Sequence, residues 1–112
     1  MITSSLTQEI EYKEGKPAIK LLMETEYSKE IRIAMQKGQL MKEHKTPFPI
    51  VVEIFEGKID FGVQGKTYQL NKGDLVSLDG GVSHDLMAVE DSIVRLTLSK
   101  SDSISRVKEV PN

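Results

Sequence analysis

Apolar and polar residues alternate at period two along much of the chain: Ile31, Ile33 and Met35; Ile59, Phe61 and Val63; Val94, Leu96 and Leu98. Successive side chains of a strand point to opposite faces, so each run predicts a strand with one buried face. Helical spacing is hard to find. Turn signals punctuate the runs, at Glu14-Gly15-Lys16-Pro17, Lys37-Gly38, Glu56-Gly57, Gln64-Gly65-Lys66, Asn71-Lys72-Gly73-Asp74 and Asp79-Gly80-Gly81. Many short strands with frequent turns predict an all-β sandwich or barrel, because a sheet must bury one face and closure removes exposed edges. The expected strands cover residues 18–26, 30–36, 39–43, 50–55, 58–63, 66–70, 75–78, 84–88 and 92–98. Residues 6–12 alternate imperfectly and are expected as an edge strand, on this chain or on a partner subunit. The polar tail, 99–112, is expected as a short helix or frayed coil with nothing catalytic in it.

The 112 residues fit one hydrophobic core, and no internal repeat, linker or low-complexity segment suggests a second domain. Charged residues make up 29% and sum to a net charge of −2, with the basic ones scattered singly or in pairs. No stripe exists to track a phosphate backbone, so nucleic acid is not an expected partner. With no cysteine, disulfides, thiolate nucleophiles and Cys-based zinc sites are excluded together. No apolar run approaches the length of a membrane-spanning helix, and the N-terminus lacks a basic start followed by an apolar stretch. The expectation is a cytoplasmic protein without a membrane partner.

The order of turns, strands and histidines from Gly38 to Ala88 resembles the two sequence motifs of the cupin superfamily, and the chain is similar to a small single-domain cupin of the cupin 2 kind. The first motif has a glycine, five residues, His-x-His, a carboxylate and a closing glycine; here Gly38, His44, Thr46, Ile50 and Gly57 stand in those places. The second leads from Gly73-Asp74 through a strand to a Pro-x-Gly turn and a histidine. Here Asp79 replaces the usual proline, Gly81 and His84 follow, and Ala88 stands where asparagine is common. Gly57 and Gly73 are expected to close hairpins, and Gly81 to turn the chain into the strand bearing His84. The resemblance implies an antiparallel double-stranded β-helix, or jelly-roll barrel, forming one domain over residues 1–112 with its motif-bearing core at about 38–98.

In metal-binding cupins the resemblance implies four inward ligands, which fall here on His44, Thr46, Ile50 and His84. Imidazole suits iron, manganese, zinc, nickel or copper, whereas a threonine hydroxyl is a poor ligand and isoleucine none. His44 and His84 alone would hold a divalent transition metal weakly. Glu43, Glu53 and Asp85 are candidate third donors, but strand parity turns them away from the histidines unless a bulge at 47–49 resets the count for Glu53. The pocket is expected to be apolar, with His44, Thr46, Phe48, Ile50, Val52, His84 and Leu86 against a small-molecule ligand and Ile54 and Ala88 as further wall. The same side chains filling the barrel and leaving no cavity is the competing expectation. The five methionines read as core filler rather than copper ligands.

Three functions follow. The first is a non-enzymatic binding or sensing module, in which His44, Thr46 and His84 direct hydrogen bonds. The second is a metal-dependent cupin enzyme, an oxygenase or isomerase, using His44 and His84. The third is a structural role in which the barrel pairs into a homodimer, the oligomeric state the resemblance implies. The serines lack a nucleophile elbow, the glycines form no phosphate cradle, and no carboxylate pair stands out.

Overall fold

A computed structural model describes residues 1–100 and contains nine strands: β1 (Ala18–Glu24), β2 (Ser28–Met35), β3 (Leu40–His44), β4 (Ile50–Glu56), β5 (Lys58–Val63), β6 (Lys66–Asn71), β7 (Leu75–Leu78), β8 (His84–Ala88) and β9 (Ser92–Ser99). They form two antiparallel sheets, ordered β1-β2-β9-β4-β7 and β3-β8-β5-β6. Among the described residues no helix is long and apolar enough to cross a membrane. The expected tail structure over 101–112 lies outside the described residues.

Register explains how the alternation fills the interior. Residues directly opposite on antiparallel strands share a face. In the five-stranded sheet this builds inward rows: Ile33–Val94–Ile54, then Ile31–Leu96–Val52–Val76, then Lys29–Leu98–Ile50–Leu78. The four-stranded sheet answers with Ala88–Ile59–Leu70, then Met41–Leu86–Phe61–Tyr68, then His44–His84–Val63–Lys66. The two faces pack into one cluster containing Ile33, Met35, Ile50, Val52, Ile54, Ile59, Phe61, Leu70, Leu86, Ala88 and Val94. Each such side chain taken fully from water contributes roughly 2 kcal/mol, and this burial is the main term holding the fold.

Burial runs in a gradient along the barrel. At the end near Met35, Ile54 and Ile59 the inward residues are fully covered. At the other end Ile31, Val63, Val76, Leu78, Leu96 and Leu98 are only partly buried. The histidine row belongs to this less covered end, the mouth of the barrel among the described residues, although Ile50 and His84 there are themselves buried.

Two expectations are corrected. Residues 6–12 form no strand within the chain; they turn over the outer face of the sheet, where the Arg32 guanidinium, 4% exposed, donates to the carbonyls of Gln8 at 3.0 Å, Glu9 at 3.2 Å and Ser5 at 3.3 Å. Three backbone acceptors hold the segment as turn rather than leaving its carbonyls for a ladder. Nor do Gly57 and Gly73 close hairpins, since β4 and β5, like β6 and β7, belong to different sheets. Each glycine is a corner at which the chain changes sheet. Both adopt the left-handed conformation, with φ of +93° and +92°.

The corners differ in what surrounds them. Beyond Gly57 lie the Ser92 hydroxyl and the Asp91 carbonyl, too close to admit a Cβ, whereas nothing stands within 4 Å of the corresponding position at Gly73. Ser92 Oγ also accepts from the Lys58 amide at 3.0 Å, so displacing it uncouples the next strand. Gly73→Ala should therefore cost only the backbone strain, about 1 kcal/mol. Gly57→Ala should cost about 3 kcal/mol or more from strain plus overlap. Urea unfolding of both variants measures the difference; equal losses would contradict this account of the corner.

Candidate functional site

His44 and His84 are cross-strand partners on β3 and β8, with ring centroids 4.3 Å apart and planes tilted by 59°. A β-bulge brings them together. Met41 opposes Leu86, but from there β3 spends three residues to reach His44 while β8 spends two to reach His84. The extra residue reverses the parity of β3 and turns His44 inward, leaving Lys42 and Glu43 exposed.

Each imidazole is oriented by its own backbone. Nδ1 of His44 lies 3.0 Å from the Lys42 carbonyl, and Nδ1 of His84 lies 3.0 Å from the Val82 carbonyl. A carbonyl only accepts, so Nδ1 carries the proton and the neutral ring keeps its lone pair on Nε2. His84 is 3% exposed, and its ring stacks on buried Phe61 with centroids 5.7 Å apart at 15°. No described side-chain nitrogen or oxygen is buried without a partner. Burial lowers the pKa of His84 from its ordinary value; the hydrogen bond to Val82 opposes this, the charge of His44 adds to it, and Asp85 opposes it. Near neutral pH, His84 is an uncharged acceptor.

Beneath the pair the barrel is almost full. Ile33, Met41, His44, Val52, His84, Leu86, Val94 and Leu96 line an interior space of about 10 Å³, room for no more than one water. Of the side chains expected at a pocket, His44, Val52, His84 and Leu86 meet there. Ile50 is buried one row nearer the mouth, and Ile54 and Ala88 are sealed in deeper rows. Thr46 and Phe48 belong to the loop before β4, where the Thr46 hydroxyl donates to the Phe48 carbonyl at 2.8 Å. That loop closes against the Gly80–Gly81 turn: the Gly81 amide donates to the Thr46 carbonyl at 2.7 Å, and Gly80 lies so near the Pro47 carbonyl that a Cβ would overlap it.

The candidate third donors stand elsewhere. Glu43 is exposed, Glu53 takes Arg95 at 3.4 Å on the outer face of its sheet, and the Asp85 carboxylate lies over Gly62. Among the described residues no three His, Cys, Asp or Glu side chains are grouped to hold a metal ion. Phe61, which stacks on His84, was not legible as a neighbour of the pair, and Lys29 was not legible as an inward residue. The signal for Lys29 lay in the alternation of Ile31, Ile33 and Met35, which continues one step to residue 29.

No family model matches the sequence, and no curated protein pairs with it. Among solved structures the chain is similar to an RmlC-like cupin protein from Desulfovibrio desulfuricans, at 20% identity and a TM-score of 0.82 over 88% of this chain and 96% of that one. It is also similar to KdgF from Halomonas sp., at 16% identity and a TM-score of 0.74 over 93% and 99% of the two chains. A conserved protein with a double-stranded β-helix domain from Klebsiella pneumoniae matches at 18% identity and a TM-score of 0.75 over 85% of each chain. The fold is that of a small cupin barrel.

The depressed pKa of His84 couples stability to pH. Below about 6.5 the unfolded chain protonates this imidazole while the folded chain resists it, so unfolding takes up a proton. Stability should fall as pH is lowered from about 6.5 towards the folded value, then level for this group. His84→Gln should flatten that part of the curve. Chemical unfolding of both proteins between pH 7.5 and pH 5 checks it, and identical slopes would remove His84 as the cause.

Proposed function

We propose that this barrel is a non-enzymatic binding or sensing module that takes a small organic molecule across its mouth, on the His44–His84 pair. One observation carries the reading: two imidazoles 4.3 Å apart, each with Nδ1 committed to a backbone carbonyl, stand at the open end of a filled barrel. Their Nε2 lone pairs accept hydrogen bonds from a ligand's hydroxyl or amide groups. The partly buried Ile31, Val63, Leu78, Leu96 and Leu98 offer apolar contact beside them. An interior of about 10 Å³ admits no organic ligand, so binding is to the rim rather than the lumen.

The donor set does not fit a resident metal. Of the four positions the cupin resemblance implies, two carry imidazoles; Thr46 gives its hydroxyl to Phe48, and Ile50 has no donor. A third protein ligand is what an open catalytic site ordinarily requires, and Glu43, Glu53 and Asp85 are turned elsewhere. No metal-dependent step is therefore assigned. Pairing into a homodimer fits the free edge of β1, where Ile19 and Leu21 are 57% and 49% exposed on the inner side of the sheet.

The test is metal analysis of untagged protein beside His44→Ala, after incubation with iron, manganese or zinc. The reading expects substoichiometric metal and no difference between the two proteins. Stoichiometric metal that disappears in the variant would overturn it.

A further inference from the structure

The row nearest the mouth holds a charge where its strand should place an apolar residue. Lys29 opposes Leu98 on β9, and Leu98 packs against the core, so the lysine stem rises from the inner face of the sheet. It is half-buried, and its ammonium makes no ion pair with any described residue. Its cross-strand neighbour, Glu24, pairs with Lys100 at 2.9 Å and feels the charge of Lys29 only as a lesser influence. The other inward positions of that row, Leu98, Ile50 and Leu78, are apolar.

The facing row presents His44 and His84, whose Nε2 atoms accept, then Val63 and the exposed Lys66. The mouth thus combines one half-buried cation that makes no ion pair with a described residue, the His44–His84 pair and partly buried apolar side chains. A cation in that setting is drawn to an anion more strongly than a fully solvated one, because the apolar surround weakens screening. His84, whose pKa burial lowers, does not replace the lysine as counter-charge; the Nε2 atoms take the ligand's own hydrogen-bond donors.

The geometry points to a small hydroxylated carboxylic acid with an apolar body as the ligand class: carboxylate on Lys29, hydroxyl on the His44–His84 pair, hydrocarbon across Ile31, Leu96 and Leu98. This rests on the binding reading above and adds the sign of the ligand's charge and the residue that reads it. It assigns to Lys29 a binding role that neither cupin motif contains.

Matched probes separate the two claims. Binding of 2-hydroxyhexanoate and of its neutral amide, 2-hydroxyhexanamide, is followed by NMR of the full chain at pH 7.5, through the imidazole Hε1 signals and the Ile and Leu methyls. The acid should bind about five-fold more tightly than the amide, the size of one partly exposed charge pair. Lys29→Met, which keeps the stem and removes the charge, should abolish that preference, whereas Lys66→Met should preserve it.

Equal affinity for acid and amide in the wild-type protein, with the imidazole signals still shifting, would overturn the anion inference and leave the binding reading standing. Preference retained in Lys29→Met would overturn the role of Lys29. Failure of both probes to move either imidazole would overturn both readings. Dispersed methyl spectra of each variant establish that it is folded.

Discussion

A barrel of nine short strands has to fill its interior from its own inward side chains, and that constraint decides where polar chemistry is possible. The lower rows leave no alternative to hydrocarbon: Ile54, Ile59 and Val94 are fully covered, and an unpaired polar group among them would cost several kcal/mol. Towards the mouth the rows are only partly covered. A side chain there can keep its stem on the apolar wall and its polar end in water. Lys29, His44, His84 and the exposed Lys66 are polar residues of the two rows at the mouth.

Within that layer, the identity of the site depends on one inserted residue. If β3 continued in register from the Met41–Leu86 pair, Glu43 would oppose His84 and His44 would face out. The mouth would then hold a carboxylate beside an imidazole, and its charge and donor set would both change. The bulge instead opposes two imidazoles and sends Glu43 to the surface. Phe61 stacks on the His84 ring, and burial lowers the pKa of that imidazole.

The strands were legible because alternation and turn glycines are local signals, and the nine expected runs correspond to the nine strands. His44 and His84 were legible through motif spacing, which carries the bulge without revealing it. What lay beyond the sequence is non-local. Which sheet each strand joins determines that Gly57 and Gly73 are corners, and nothing near them in the chain says so. Residues 6–12 alternate weakly, but the buried guanidinium of Arg32 claims their carbonyls from across the sheet. The nearly absent interior space depends on how side chains from the two sheets interdigitate, and composition alone was compatible with a cavity or with a filled core. Lys29 was hidden by a boundary: a strand expected to begin at residue 30 begins at Ser28.

The residues missing from the metal-binding pattern and the lysine at the mouth belong to one electrostatic argument. The position where the cupin resemblance implies a carboxylate is Ile50, and Ile50 shares its inward row with Lys29, separated from it only by Leu98. A carboxylate there would place a negative charge near the ammonium and lower the local positive potential. Isoleucine does neither, and Glu24 makes its ion pair with Lys100. With isoleucine at that position, the row holds neither a carboxylate donor nor an ion-pair partner for Lys29 among the described residues. The side chain at position 50 thus bears both on the donor set and on the ligand charge proposed for the mouth.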